Sequence, residues 1–109
     1  MSAGRLPAHV AVSAMLRACA DRGGFGAVLH RGERDAGPVL LVVRETGHPA
    51  VLWERLPRAD GTYPYAATRR EDEDGFEAYL ARRAVQDPDT WIVELEGRSV
   101  ATLIHSLAG

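Results

Sequence analysis

The sequence predicts an α+β fold: a mostly antiparallel β-meander of about five strands with two to three helices packed on it. Three observations lead there. The apolar run Val39-Leu40-Leu41-Val42-Val43 is valine-rich and bracketed by Gly37-Pro38 and Gly47-His48-Pro49. It is too short for a free-standing helix and reads as a central strand covered on both faces. Short turn signals, Thr46-Gly47-His48 and Asp60-Gly61, link it to later strands and favour hairpins. Helical periodicity recurs around 9–22 and 72–86, giving apolar stripes that need a sheet to pack on.

The elements follow in order. Residues 1–8 read as a loose tail. Val12, Met15, Leu16 and Cys19 recur at helical spacing, and Gly23-Gly24 stops that helix. Phe25 to Arg31 reads as a first strand, and Gly32 to Gly37 as a polar loop leading into the central strand. A third strand runs from about Pro49 to Leu56. A fourth, about Thr62 to Thr68, is confined to a sheet edge by Pro64. Asp72 is the expected N-cap of the second helix, with Phe76, Tyr79, Leu80 and Ala84 as its stripe. Asp87-Pro88-Asp89 breaks it. Trp91, Val93 and Leu95 alternate with Ile92, Glu94 and Glu96 in a fifth strand. Val100, Leu103, Ile104 and Leu107 fit a last helix, for which Ser99 is the expected cap. The order is α-β-β-β-β-α-β-α.

Composition narrows the function classes. A chain of 109 residues fits one domain with a core of its own. A net charge of −2 offers no general attraction to nucleic acid or to an anionic membrane. One cysteine, Cys19, allows no internal disulfide, and no apolar run reaches the ~18 residues of a membrane span. No signal peptide is read at the N-terminus. A cytoplasmic setting follows as the expectation. Every cationic chain is arginine; the absence of lysine excludes Schiff-base chemistry and a phosphate-loop lysine.

Two segments carry a family resemblance. Ala78-Tyr79-Leu80-Ala81-Arg82-Arg83 leads into Asp87-Pro88-Asp89-Thr90-Trp91-Ile92-Val93-Glu94-Leu95-Glu96. Gly24-Phe25-Gly26-Ala27-Val28-Leu29 leads through Gly32-Glu33-Arg34-Asp35-Ala36-Gly37 into the valine-rich strand. Over about 5–96 the chain resembles the bacterial family called domain of unknown function 1491. The resemblance implies a short, stand-alone, soluble bacterial protein. It brings no activity, cofactor or catalytic residue.

The residues themselves show no catalytic constellation. His9, His30, His48 and His105 have no metal-ligand spacing, and Asp72-x-Asp74-Gly75 lacks the later oxygen ligands of a calcium loop. No metal or cofactor is therefore expected. Cys19 lies on the apolar stripe of the first helix and reads as a core thiol. Gly23-Gly24-Phe25-Gly26 follows a helix and enters a strand, the reverse of a nucleotide loop. His30, Arg31 and Arg34, around the 32–37 loop, form a candidate anion-binding group that competes with a plain solvated loop. Trp53, Tyr63, Tyr65, Arg44, Arg55, Arg69 and Arg70 carry stacking and guanidinium groups, but acids match the arginines in number, which argues against nucleic acid.

Pairing the strands gives the last expectation. If the 46–48 turn sets Val43 opposite Val51, then Leu41 faces Trp53 and Val39 faces Arg55. If the 32–37 loop also pairs Arg31 with Pro38, then Val28 and His30 join that side. Phe25, Ala27, Leu29, Leu40, Val42 and Leu52 share the other. Both faces are apolar, so either the helices cover both or a second copy covers one. The reading is a non-catalytic interaction or regulatory module, a homodimer or the ligand of an unknown protein partner. Its candidate surface is Trp53, Arg55, Leu41 and Val28, because tryptophan and arginine are enriched at binding hot spots. The alternative is a small-ligand or anion-binding protein, or an enzyme, using the 30–37 region. Trp91 is expected to close the core against Phe76 or Leu80.

Overall fold

The computed structural model describes residues 6–107, with side-chain surroundings described over 6–104. The elements are α1 (Ala8–Asp21), β1 (Phe25–His30), β2 (Val39–Arg44), β3 (Val51–Arg55), β4 (Tyr65–Arg70), α2 (Phe76–Gln86), β5 (Trp91–Glu96) and α3 (Val100–Leu107). Their succession is the expected one. The tail expected over 1–8 falls largely outside the described residues, and Ala8 is already buried in the first turn of α1.

The five strands form one sheet in the order β1-β5-β2-β3-β4. The valine-rich run is thus the middle strand, and β4, preceded by Pro64, is an edge. Between β2 and β3 the register is as expected, with Leu41 opposite Trp53 and Val43 opposite Val51. The meander is not. β5 inserts between β1 and β2, antiparallel to the first and parallel to the second, so the sheet is mixed. Arg31 therefore does not pair with Pro38. Instead the Pro38 carbonyl accepts the Trp91 N–H at 2.7 Å.

The 31–37 loop is shaped by that insertion. It crosses over the start of β5, and the Glu33 N–H donates to the Asp89 carbonyl at 2.9 Å. A Cβ on Gly32 or Gly37 would lie 2.1 or 2.0 Å from that same carbonyl oxygen, so only glycine lets the loop close so tightly. The indole N–H of Trp91 donates to the Glu33 carbonyl at 2.7 Å, fastening the loop from below.

Helices cover both faces. α1 and α3 lie on one side, where Val12, Met15, Cys19, Val100, Leu103 and Ile104 pack with Leu41, Val43, Val93 and Leu95. α2 lies on the other, where Phe76 and Leu80 pack with Leu40, Val42, Leu52 and Ile92. Trp91 belongs to the α1–α3 side, so it does not meet Phe76 or Leu80; its neighbour Ile92 does. Period-2 alternation separates the two residues, and the strand's placement decides which face each takes.

Two helix starts also differ from expectation. α2 begins at Phe76, because Gly75 turns the chain with φ +85, and Asp72 instead pairs with Arg70 at 2.8 Å. At α3, Ser99 adopts φ +60 and the Ala101 N–H is accepted by the Glu45 carboxylate at 3.2 Å, from the β2–β3 turn.

Trp91 is 3% exposed. Trp91→Ala is expected to cost about 3–5 kcal/mol, by loss of packing. Trp91→Phe keeps much of the ring but leaves the Glu33 carbonyl without its donor, at a cost of about 1–3 kcal/mol. Urea unfolding of the two variants checks the ranking; equal losses would contradict a role for the indole N–H.

Candidate functional site: the Trp53 cleft

The tip of the β2–β3 hairpin and the first turn of α3 enclose a cavity of about 290 Å³. Val43, Val51, Trp53, Pro49 and Ala101 supply its apolar walls, and Glu45 and His48 its polar groups. The sequence builds it locally. Gly47, at φ +84, closes the turn, with the His48 N–H donating to the Glu45 carbonyl at 2.9 Å. Strand alternation puts Val51 and Trp53 on the same face, and the Glu45 bond to the Ala101 N–H holds the α3 wall against the turn. Trp53 is half-buried and packs on the core beside it.

The four residues expected to share a surface do not. Leu41, opposite Trp53, is 0% exposed and belongs wholly to the core, since helices cover the strand that carries it. Arg55 turns over the Tyr65 ring at 4.5 Å and donates to the Tyr63 carbonyl at 2.8 Å. Val28 is exposed and shares the sheet face of Trp53, but β5 and β2 lie between their strands. Only Trp53 lines the cleft. Glu45, His48, Pro49 and Ala101 escaped the sequence reading, although the His48-Pro49 turn four residues before Trp53 was a usable signal.

The 30–37 group is occupied by its own chain. The His30 Nδ1 lies 2.7 Å from the Thr90 carbonyl, and Arg31 stands over the Trp91 ring at 5.4 Å. Arg34 is largely exposed, with its nearest acid, Asp35, at 4.0 Å. The Asp35 and Ala36 N–H groups both donate to the Glu33 carboxylate at 2.8 Å. Those two bonds hold its pKa below the ordinary carboxylate value. The Glu33 carboxylate thus caps its own loop.

The opposite face carries two polar networks that sequence reasoning missed. Glu54 is 6% exposed; it accepts hydrogen bonds from Thr68, Tyr79 and Arg83, while Arg69 stacks on the Tyr79 ring at 3.8 Å. The signal was Glu54 alternating with Leu52 on an apolar face, where an acid demands a cation. Arg44 pairs with Glu71 at 2.5 and 2.8 Å and reaches Glu94 at 3.6 Å. These arginines pair with acids or stack on a ring of their own chain. Cys19 is fully buried, as expected of a core thiol. Among the described residues no three His, Cys, Asp or Glu side chains are grouped to hold a metal ion.

Glu71 gives the fold a pH dependence. Hydrogen bonds from Arg44 and from the Ala50 N–H hold its pKa at about 2, below the ordinary 4.5. A depressed carboxylate stabilises the folded state above the unfolded pKa, and that stability is lost as pH falls from about 4.5 toward 2. Glu71 is one-third exposed, so solvent screens the pair, and Glu71→Gln is expected to cost only about 1 kcal/mol at neutral pH. In thermal melts the gap between wild type and Glu71→Gln should shrink steadily below pH 4.5. A gap independent of pH would refute this origin.

Comparison with known proteins places the fold. A family model described as "Protein of unknown function (DUF1491)" matches residues 6–105. The crystal structure of a DUF1491 family protein from Caulobacter crescentus is similar at 33% identity and TM-score 0.77, over 88% of this chain and 92% of that one. An NMR structure of a DUF1491 family protein from Caulobacter crescentus gives 32% identity and TM-score 0.72, over 87% and 88%. The solution structure of a protein from A. tumefaciens gives 27% identity and TM-score 0.72, over 91% and 92%. No curated protein matches the sequence. No helix among the described residues is long and apolar enough to cross a membrane. With its α+β mixed sheet and a match along nearly its whole length, the chain belongs to the DUF1491 family, whose function is unknown.

Proposed function

We propose that this chain is a non-catalytic interaction module of the cytoplasm, and that the Trp53 cleft receives an apolar side chain of a protein partner. One observation carries the reading. A tryptophan stands half-buried in an apolar cavity of about 290 Å³ whose polar groups are confined to Glu45 and His48. Glu45 is already engaged with the α3 backbone, so the cleft lacks the several converging polar groups that substrate chemistry needs. Its volume is near the lower end for ligand pockets and suits a single side chain. Burying the rest of the indole against such a side chain removes apolar area from water at about 25 cal/mol per Å².

Indole serves as the probe of an apolar side chain. Titrated into ¹⁵N-labelled protein, it should shift the amides of Val43, Val51, Trp53 and Ala101 together, and Trp53→Ala should abolish the response. Against a partner recovered with a tagged copy, Trp53→Ala should weaken binding by on the order of 2 kcal/mol, the loss typical of a hot-spot aromatic. A saturable indole response elsewhere, or unchanged partner affinity in a folded Trp53→Ala protein, would overturn the proposal.

A further inference from the structure

The two edges of the sheet are built differently. β4, at one end, is preceded by Pro64 and ends in Thr68-Arg69-Arg70, of which Arg69 and Arg70 are exposed. Charges and a proline are the usual means of keeping an edge from pairing with another chain. β1, at the other end, has neither. Its sequence, Phe25-Gly26-Ala27-Val28-Leu29-His30, contains no acid, lysine or arginine. Not one of its residues is buried, whereas β2 and β5 are buried along most of their length.

What β1 exposes is large and apolar: Phe25 is 65% exposed, Leu29 52% and Val28 41%. The register with β5 sets Phe25 and Ala27 opposite Glu96 and Glu94, on the face that α2 covers elsewhere. Yet, among the described residues, the core under α2 includes none from β1. The strip beside β5 is therefore an open apolar edge, with one row of main-chain donors and acceptors not used by β5. The register shift between Val28 and His30 leaves Leu29 without an opposite residue on β5.

We propose that β1 is the homodimer interface, pairing antiparallel with β1 of a second copy to continue the sheet across a two-fold axis. Two features point to a second copy as the occupant. An isologous contact sets a patch against itself, so every charge on it would meet its like; β1 is free of charged side chains and meets itself without repulsion. A foreign strand would find no charge on β1 to recognise. The arginine-bearing β4 edge opposes itself at the other end, so the assembly closes at two copies. Backbone pairing supplies the geometry, and the two sets of Phe25 and Leu29, brought together across the axis, supply the burial. This dimer leaves a Trp53 cleft on each copy, remote from the junction. It does not rest on what that cleft binds.

Sedimentation equilibrium at micromolar concentration tests the proposal. Wild type should have twice the mass of one chain. Phe25→Lys and Leu29→Lys, both at exposed positions, should each sediment as monomers with an unchanged melting profile at low concentration and unchanged far-UV circular dichroism. A mixture of Phe25→Lys with Leu29→Glu, whose new charges face each other across the antiparallel pair, should recover the dimer mass. Trp53→Ala should remain dimeric, which separates this surface from the cleft. A wild-type monomer, or a dimer that persists in both lysine variants, would overturn the proposal.

Discussion

The parallel pairing of β2 with β5 sets the two most deeply buried strands side by side, and the rest of the fold is arranged to permit it. β5 comes last of the strands in the chain and lies between two strands that precede it by some fifty to seventy residues, a non-local pairing of the kind that forms slowly. Its two faces explain the position. Trp91, Val93 and Leu95 need one core and Ile92 the other, which only an interior strand provides. β1, with its glycine and its exposed side chains, is left at the edge.

Function-bearing features follow from that arrangement. With β5 in the slot, the loop after β1 must bridge over it, and Gly32, Gly37, Glu33 and Trp91 fasten it there. At the other end of β2 the hairpin reaches past the sheet and leans on α3 through Glu45. That contact is what turns an exposed tryptophan into one wall of a cleft. The polar networks under α2 work differently. Arg83 and Arg44 neutralise acids that strand alternation would otherwise leave on a buried face, while most of the other described arginines are exposed.

Much of the fold is legible in the sequence. Element order, the central place of the valine-rich strand, the edge position enforced by Pro64 and the β2–β3 register all follow from local signals. Such signals act over a few residues: period, turn chemistry and the missing N–H of proline. The packed position of Trp53 was also approachable, since a tryptophan between polar neighbours on a hairpin strand is seldom without a packing partner.

The sequence by itself determined which segments are strands and helices, which of their residues are apolar, and that Schiff-base chemistry is absent for want of lysine. Only the tertiary structure decided that β5 enters the sheet between β1 and β2, that Trp91 faces α1, that Leu41 is sealed and that the apolar edge belongs to β1. The physical reason is common to these. Strand order and face assignment depend on contacts between residues far apart in the chain, and a strand with two apolar faces satisfies local rules equally well beside any neighbour. Total burial selects among those neighbours, and burial is a property of the assembled sheet.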